Sequence, residues 1–427
     1  MKHLRSLCLT ALLVAAVALG AGAQTAPTNI NPAQLYYQAF LVAPDLPQAD
    51  SDYLWTNEWQ GRQLPERFGK IMASYDNEFR LLRAAARSTV PCDWGIDTSW
   101  GPQTLLPHLG RAKAAVLTAK FRALWALQHG DQAAARENIL AAFVLGRNVS
   151  RDGYLISVRA QGACEIISCR HIAELFGQFS AESLQQLYDG MQAAPARRSV
   201  ADCLATQRPL RTDLWLRKIQ ELQQANPNND AAVMAALREW FGSDVATGDL
   251  TAGQHFQAGE GWARISEAAG GTSQGLVRLI QELQSLEARL APLMALPPKE
   301  FEARLAPLKA EVKRSSNPIL LLDFRTWEIA KEWWEPSALM NLAMVRAAIQ
   351  YKLHGPSGLQ TETDPWSQGP FGFQRFVFQG VDRGFELKSA CRFNGWPEVL
   401  IFVEKDGPPF YVDGKIAGEP RPKTYPK

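Results

Sequence analysis

His171 and Glu174 stand three residues apart, which on a helix puts them on one face, and Glu165 lies about a turn and a half earlier. Such a grouping could supply half of a metal or acid–base site. Its order is His-x-x-Glu in a single copy, whereas carboxylate sites in helical bundles use Glu-x-x-His twice on facing helices. The competing reading is a polar pair beside Arg170. A second set of carboxylates flanks tryptophans: Asp93 and Asp97 beside Trp94, and Glu328, Glu332 and Glu335 beside Trp327, Trp333 and Trp334. One carboxyl from each group would make the pair that glycoside hydrolysis needs, if the fold sets them roughly 5–10 Å apart. Cys92 or Cys164 could serve as a nucleophile with His108 or His171, or fill a core as small apolar side chains. No His-Glu-x-x-His, Gly-x-Ser-x-Gly, phosphate loop or Gly-x-Gly-x-x-Gly is present, and nothing in the sequence calls for a cofactor.

The chain has 13 tryptophans, an excess that suggests stacking surfaces. Trp94 and Trp100, with Trp327, Trp333 and Trp334, could line a groove that takes sugar rings or a peptide. Tryptophan also fills gaps between packed helical hairpins, and that bland role competes at each position.

The elements that must position these residues are mainly helical. Apolar residues recur at helical spacing over Ala33–Leu41 and Arg67–Arg87, the latter stopping before Ser88-Thr89-Val90-Pro91. Cys92–Pro107 then reads as an irregular loop rich in Trp, Gly and Pro, the kind of segment that often carries function. Helices are expected over Leu109–His129, Gln132–Val149, Tyr154–Phe176 and Ala181–Gln192, with breaks at Gly130-Asp131, Asp152-Gly153 and Ser180. Short turns between amphipathic helices force antiparallel neighbours, so this block should stack as αα-hairpins. The run from Ala123 through Gly130-Asp131 to Ala135 resembles a tetratricopeptide hairpin, although three repeats at a 34-residue period are not found. Two further helices are expected within Leu210–Phe241, with Asp230 as an N-cap. The heptapeptide Glu-Ala-Arg-Leu-Ala-Pro-Leu occurs at Glu287–Leu293 and again at Glu302–Leu308, around Pro297-Pro298. A long helical hairpin whose arms end or kink near Pro292 and Pro307 follows. Asp323–Leu353 closes the helical body.

The period changes at Gly355. Phe371 to Phe378, Phe385 to Leu387, Leu400 to Phe402 and Phe410 to Val412 form short apolar runs separated by turn signals, which predicts a β-meander of about four strands. Such a meander is too small to stand alone and should dock on the helices. The expected organisation is thus a segment at 1–23, a helical hairpin domain at 24–200, a second helical region at 201–354 and a β tail at 355–427.

Trp94–Pro195, with Leu106-Pro107-His108-Leu109, the Gly130-Asp131 turn and Tyr154-Leu155-Ile156-Ser157, resembles a family of secreted helical proteins from environmental bacteria. Asp364-Pro365-Trp366-Ser367-Gln368-Gly369-Pro370-Phe371, followed by Gly384-Phe385-Glu386-Leu387-Lys388-Ser389, resembles the C-terminal β region of type II secretion pseudopilins. The prepilin leader and the Phe-Thr-Leu-Ile-Glu helix of those proteins are missing, so this second resemblance implies a β substructure and not a pilus subunit.

Residues 1–23 read as a secretory signal peptide: Lys2 and Arg5, an apolar run from Leu7 to Gly20, and Ala21-Gly22-Ala23 before the cut. The run is shorter than the roughly 20 apolar residues that span a bilayer, and Cys8 lies inside it and not at the cut. A periplasmic or secreted protein beginning near Gln24, without an integral membrane span, is expected. Removing Lys2 and Arg5 from the 45 basic residues leaves as many as the 43 acidic ones. That balance gives no electrostatic reason to bind nucleic acid. Cys92, Cys164, Cys169, Cys203 and Cys391 remain, an odd number that permits at most two bridges. Cys164 and Cys169 sit about 140° apart around a helix and are poorly placed to pair. The functional expectation is a non-catalytic binding or scaffold protein with a protein or glycan partner in the cell envelope. Its rival is a periplasmic hydrolase that uses the carboxylates near the Trp-rich loop.

Overall fold

The computed structural model describes residues 29–55, 63–241, 260–393, 396–407, 411–412 and 415–416; the expected signal segment lies outside them. The described chain is mainly helical and ends in a small antiparallel sheet. Among the described residues, no helix is long and apolar enough to cross a membrane.

The first helices are α1 (Pro32–Val42), α2 (Gln48–Trp55), α3 (Phe68–Ser74) and α4 (Asp76–Ala86). Asn31 caps α1 by accepting from the Ala33 N–H at 3.1 Å. The same side chain exchanges hydrogen bonds with the backbone of Asp93, fixing the Trp-rich loop against the start of α1. The Arg67–Arg87 run divides at Tyr75 into α3 and α4.

The predicted hairpin block follows as α5 (His108–Gln128), α6 (Gln132–Asn148), α7 (Leu155–Glu174) and α8 (Ala181–Ala193). Gly130 takes φ +75° and Asp131 caps α6 through the Ala134 N–H, which reverses the chain within three residues. Ser180 caps α8 in the same way through Ser183.

Then come α9 (Val200–Leu210), α10 (Thr212–Ala225), α11 (Asp230–Phe241), α12 (Glu260–Ala268), α13 (Ser273–Met294), α14 (Pro298–Val312), α15 (Pro318–Ile329) and α16 (Glu335–His354). A five-residue π-helical turn, Ala330–Trp334, joins α15 to α16. The duplicated heptapeptide supplies one arm each of α13 and α14, and the equivalent leucines Leu290 and Leu305 are both buried. The first arm ends at Met294, just past Pro292, while the second runs on through Pro307 to Val312. Asp230 does not act as the expected N-cap. Asn229 accepts from the Ala232 N–H at 3.1 Å instead, and the Asp230 carboxylate crosses to the backbone and hydroxyl of Ser273 at the start of α13.

Strands β1 (Gly372–Phe378), β2 (Val381–Phe393) and β3 (Trp396–Val403) form a meander in the order β1-β2-β3. Gln379 and Gly380 both take positive φ and close the tight β1–β2 turn. The fourth predicted run is not part of this sheet: Tyr411–Val412 pairs with Lys415–Ile416 in a separate two-residue ladder. Phe385, Leu387, Leu400 and Phe402 form the face that docks on the helices, where Phe176 meets Phe402 with ring centroids 5.2 Å apart. Buried Asp364 pins the approach: its carboxylate accepts from Ser389 Oγ and the Ala390 N–H on β2 and closes its own loop through the Trp366 N–H.

Two large apolar clusters result. One joins α1–α8 with α16 and the inner face of the sheet; the other joins the start of α7 with α9–α15.

Candidate functional site

The Trp-rich loop does not present Trp94. Its indole is 3% exposed, stacks on His108 at 4.3 Å and on Tyr36 at 5.6 Å, and donates through Nε1 to the Asn148 carbonyl at 2.8 Å. Beneath it His108 Nε2 lies 3.2 Å from both the Val149 carbonyl and Asp152 Oδ2, and Asp152 also accepts from Ser157 Oγ at 2.6 Å. Asn148 donates to the Tyr36 hydroxyl and is itself buried. This polar knot holds α1, the loop and three helices together around an aromatic core.

The other tryptophans occupy separate places. Trp327 is fully buried and donates to Asp323 at 3.0 Å, while Arg211 bridges Asp323 to Glu287. Trp333 packs on Phe393, and Trp334 lies under the Arg159 guanidinium at 4.8 Å. Trp100 alone of the five is widely exposed, at 63%. They fall in two packing clusters and one loop tip and do not line one groove.

The carboxylates sit on separate elements. Asp93 and Asp97 are local turn formers, accepting from the Gly95 and Ser99 N–H groups at 2.9 Å each. Glu328 pairs with Lys309 on α14. Burial and the neighbouring Glu328 push the Glu332 carboxyl up to about 7. The described partners of Asp93 and Asp97 lie in their own loop and at the start of α1, and those of Glu328 and Glu332 lie on α14 and α15.

His171 is 4% exposed, and Glu174 pairs with Lys120 at 2.9 Å. Burial, helped by Lys120 and Arg170, holds the imidazole well below its ordinary value, so His171 is neutral. Its Nδ1 has no hydrogen-bond partner. No cluster of three or more metal-ligating side chains occurs among the described residues. All five cysteines described are free and buried, and burial pushes Cys92, Cys164, Cys203 and Cys391 up to about 12. A thiol so raised is a poor nucleophile at neutral pH.

A concave site does exist, among residues that carry no catalytic or aromatic signal. Glu137, Leu140, Ala141 and Val144 recur at i, i+3, i+4 and i+7 and form a stripe about 10 Å long on α6. The end of α4, with Arg83, Ala86 and Arg87, makes one wall; Gly190 and Ala193 to Pro195 at the end of α8 make the other. The groove encloses about 220 Å³. Glu137 lies 3.7 Å from Arg83 and 3.3 Å from Arg87, and Arg83 also donates to Asn138 Oδ1 at 2.8 Å. Gly190 lets α8 approach: a Cβ there would come within 2.6 Å of Leu140 Cδ1. Arg83 and Arg87 at i, i+4 were readable as neighbours on one helix face, but their meeting with α8 was not.

Comparison with protein-family models, with curated proteins and with solved structures returns no match.

Proposed function

We propose that this chain is an exported, non-catalytic binding or scaffold protein of the cell envelope, which holds a protein or glycan partner on its stacked helical hairpins. The observation that carries this reading is the groove between α4, α6 and α8: an apolar floor with an arginine rim, built on helices that are themselves anchored in the main core. Pockets of this make-up, apolar with a few convergent polar groups, are the ordinary form of a binding site. The export component rests on the signal-like sequence of residues 1–23.

The test is a pull-down from envelope extract with the wild-type protein and with Gly190→Leu, whose side chain would drive Leu140 into the groove. A partner recovered by the former and lost by the latter supports the reading. Equal recovery by both places binding elsewhere on the molecule. A hydrolase remains the second reading because Glu332 is held near neutrality beside Glu328, a pairing suited to general-acid work. It requires turnover of a glycan or peptide library that Glu332→Gln abolishes.

A further inference from the structure

We infer that the groove between α4, α6 and α8 receives the C-terminal end of a partner polypeptide, with the terminal carboxylate against the Arg83 side and the last apolar side chain on Leu140, Ala141 and Val144. The inference rests on the binding reading above and names its ligand class.

Size decides against larger ligands. Sites that enclose a drug-sized molecule run to roughly 300–1,000 Å³. The 220 Å³ here holds one or two residues. The α6 stripe is also only about two helical turns long, so it would support about three residues of extended chain. A chain end fits such a space better than a strand passing through it.

Charge decides which end. The lining contains two guanidiniums, Arg83 and Arg87, and one carboxylate, Glu137. Glu137 lies against both guanidiniums, which an incoming carboxylate would share with it. Guanidinium offers a planar fork that matches a carboxylate in a two-point contact, and a terminal ammonium would meet repulsion at the same place. The rest of the lining is uncharged: Ala86, Leu140, Ala141, Val144, then Gly190 and the Ala193–Pro195 turn. That floor rewards an apolar last side chain by taking it out of water, at about 25 cal/mol per Å² buried.

The experiment is calorimetric titration of the purified protein with two probes: N-acetyl-Gly-Ser-Ala-Leu with a free carboxylate, and the same peptide as its C-terminal amide. The acid should bind at least about tenfold more tightly than the amide, a difference of about 1.4 kcal/mol. Arg83→Gln, at a partly exposed site where folding is expected to survive, should erase that preference. Gly190→Ala should weaken both peptides together, because its Cβ would push Leu140 out of its place on the floor. Equal binding of acid and amide that Gly190→Ala still weakens would overturn the carboxylate inference and leave the groove as a binding site. An acid preference that persists in Arg83→Gln, or no binding of the acid at about 5 mM, would also overturn it. In that last case the pull-down with Gly190→Leu decides separately whether the groove binds at all.

Discussion

Arg197 and Glu335 meet at 3.1 Å where one helical cluster gives way to the other. Arg197 lies in the extended segment between α8 and α9, and its Nε also reaches Glu165 at 2.9 Å. Glu165 in turn faces Arg147, while Glu335 takes Lys331 at 2.7 Å and the Val200 N–H at 2.9 Å. Three cations and two carboxylates, drawn from α6, α7, α16, the π-helical turn and the α8–α9 segment, thus alternate in a nearly dry seam.

Such a chain is costly to break. Removing Arg197 takes the shared guanidinium from Glu165 and Glu335, each left with a single cation, so Arg197→Met should cost about 3 kcal/mol in denaturant unfolding. Adding Glu165→Gln and Glu335→Gln to the same variant should deepen that loss, because Arg147 and Lys331 would then be buried without a carboxylate. A single variant within about 1 kcal/mol of the wild type would show that the seam is open to water.

Glu78 gives a pH dependence with a definite sign. It is 3% exposed, its Oε2 has no hydrogen-bond partner, and burial pushes its carboxyl up to about 7 from the ordinary 4.5. The folded protein therefore holds this proton more tightly than the unfolded chain does. Its contribution to stability is fully present below about 4.5 and is lost as pH rises through about 7. Glu78→Gln should gain on the wild type between pH 5 and pH 8 by about 2–3 kcal/mol, at 1.36 kcal/mol per pKa unit. Parallel stability curves for the two proteins across that range would contradict the buried carboxyl.

Trp94 tests whether the Trp-rich loop is core or surface. With its ring between His108 and Tyr36 and its Nε1 bonded to Asn148, Trp94→Ala should cost about 3–5 kcal/mol. Trp100→Ala, at an exposed tip, should stay within about 0.5 kcal/mol. Similar small losses for both would return Trp94 to the surface.

The contrast between these two residues indicates what a sequence can convey. Helices α5, α6 and α8 were legible because apolar spacing and local stops, Gly130-Asp131 and Ser180, both act within a few residues. Asp230 was misplaced because its carboxylate answers to Ser273, a partner far along the chain, and Asn229 takes the local role. Trp94 was read by its loop, yet its burial is set by aromatic residues of α1 that fold over it. The groove was the least legible feature. Its stripe on α6 looks like any core-facing helix face, and it becomes concave only because α4 and α8 flank it.

Asp364 controls the sheet. Its carboxylate holds Ser389 Oγ at 3.0 Å and the Ala390 N–H at 2.8 Å across 25 or so residues of chain. Hydrogen bonds to a charged group are worth about 1.5–3 kcal/mol, so Asp364→Ala should loosen β2 more than the helices. Hydrogen exchange should accelerate over β1–β3 and remain slow in α5–α7. Uniform acceleration throughout the protein would mean that the sheet and the helices open as one unit.

The cysteines give the last prediction. The proposed export would invite disulfides among the cysteines after residue 23, yet each of Cys92, Cys164, Cys169, Cys203 and Cys391 is a buried free thiol. Cys164 and Cys169 lie on one helix, and Cys203 Sγ donates to the Gly153 carbonyl at 3.1 Å. Their burial shields them from oxidants as well as from each other. The native protein, begun at Gln24 and purified without reductant, should therefore resist a thiol reagent, and in guanidinium it should take up label at all five positions. Three labels in the unfolded chain would reveal one bridge, and rapid labelling of the native protein would place at least one thiol at the surface.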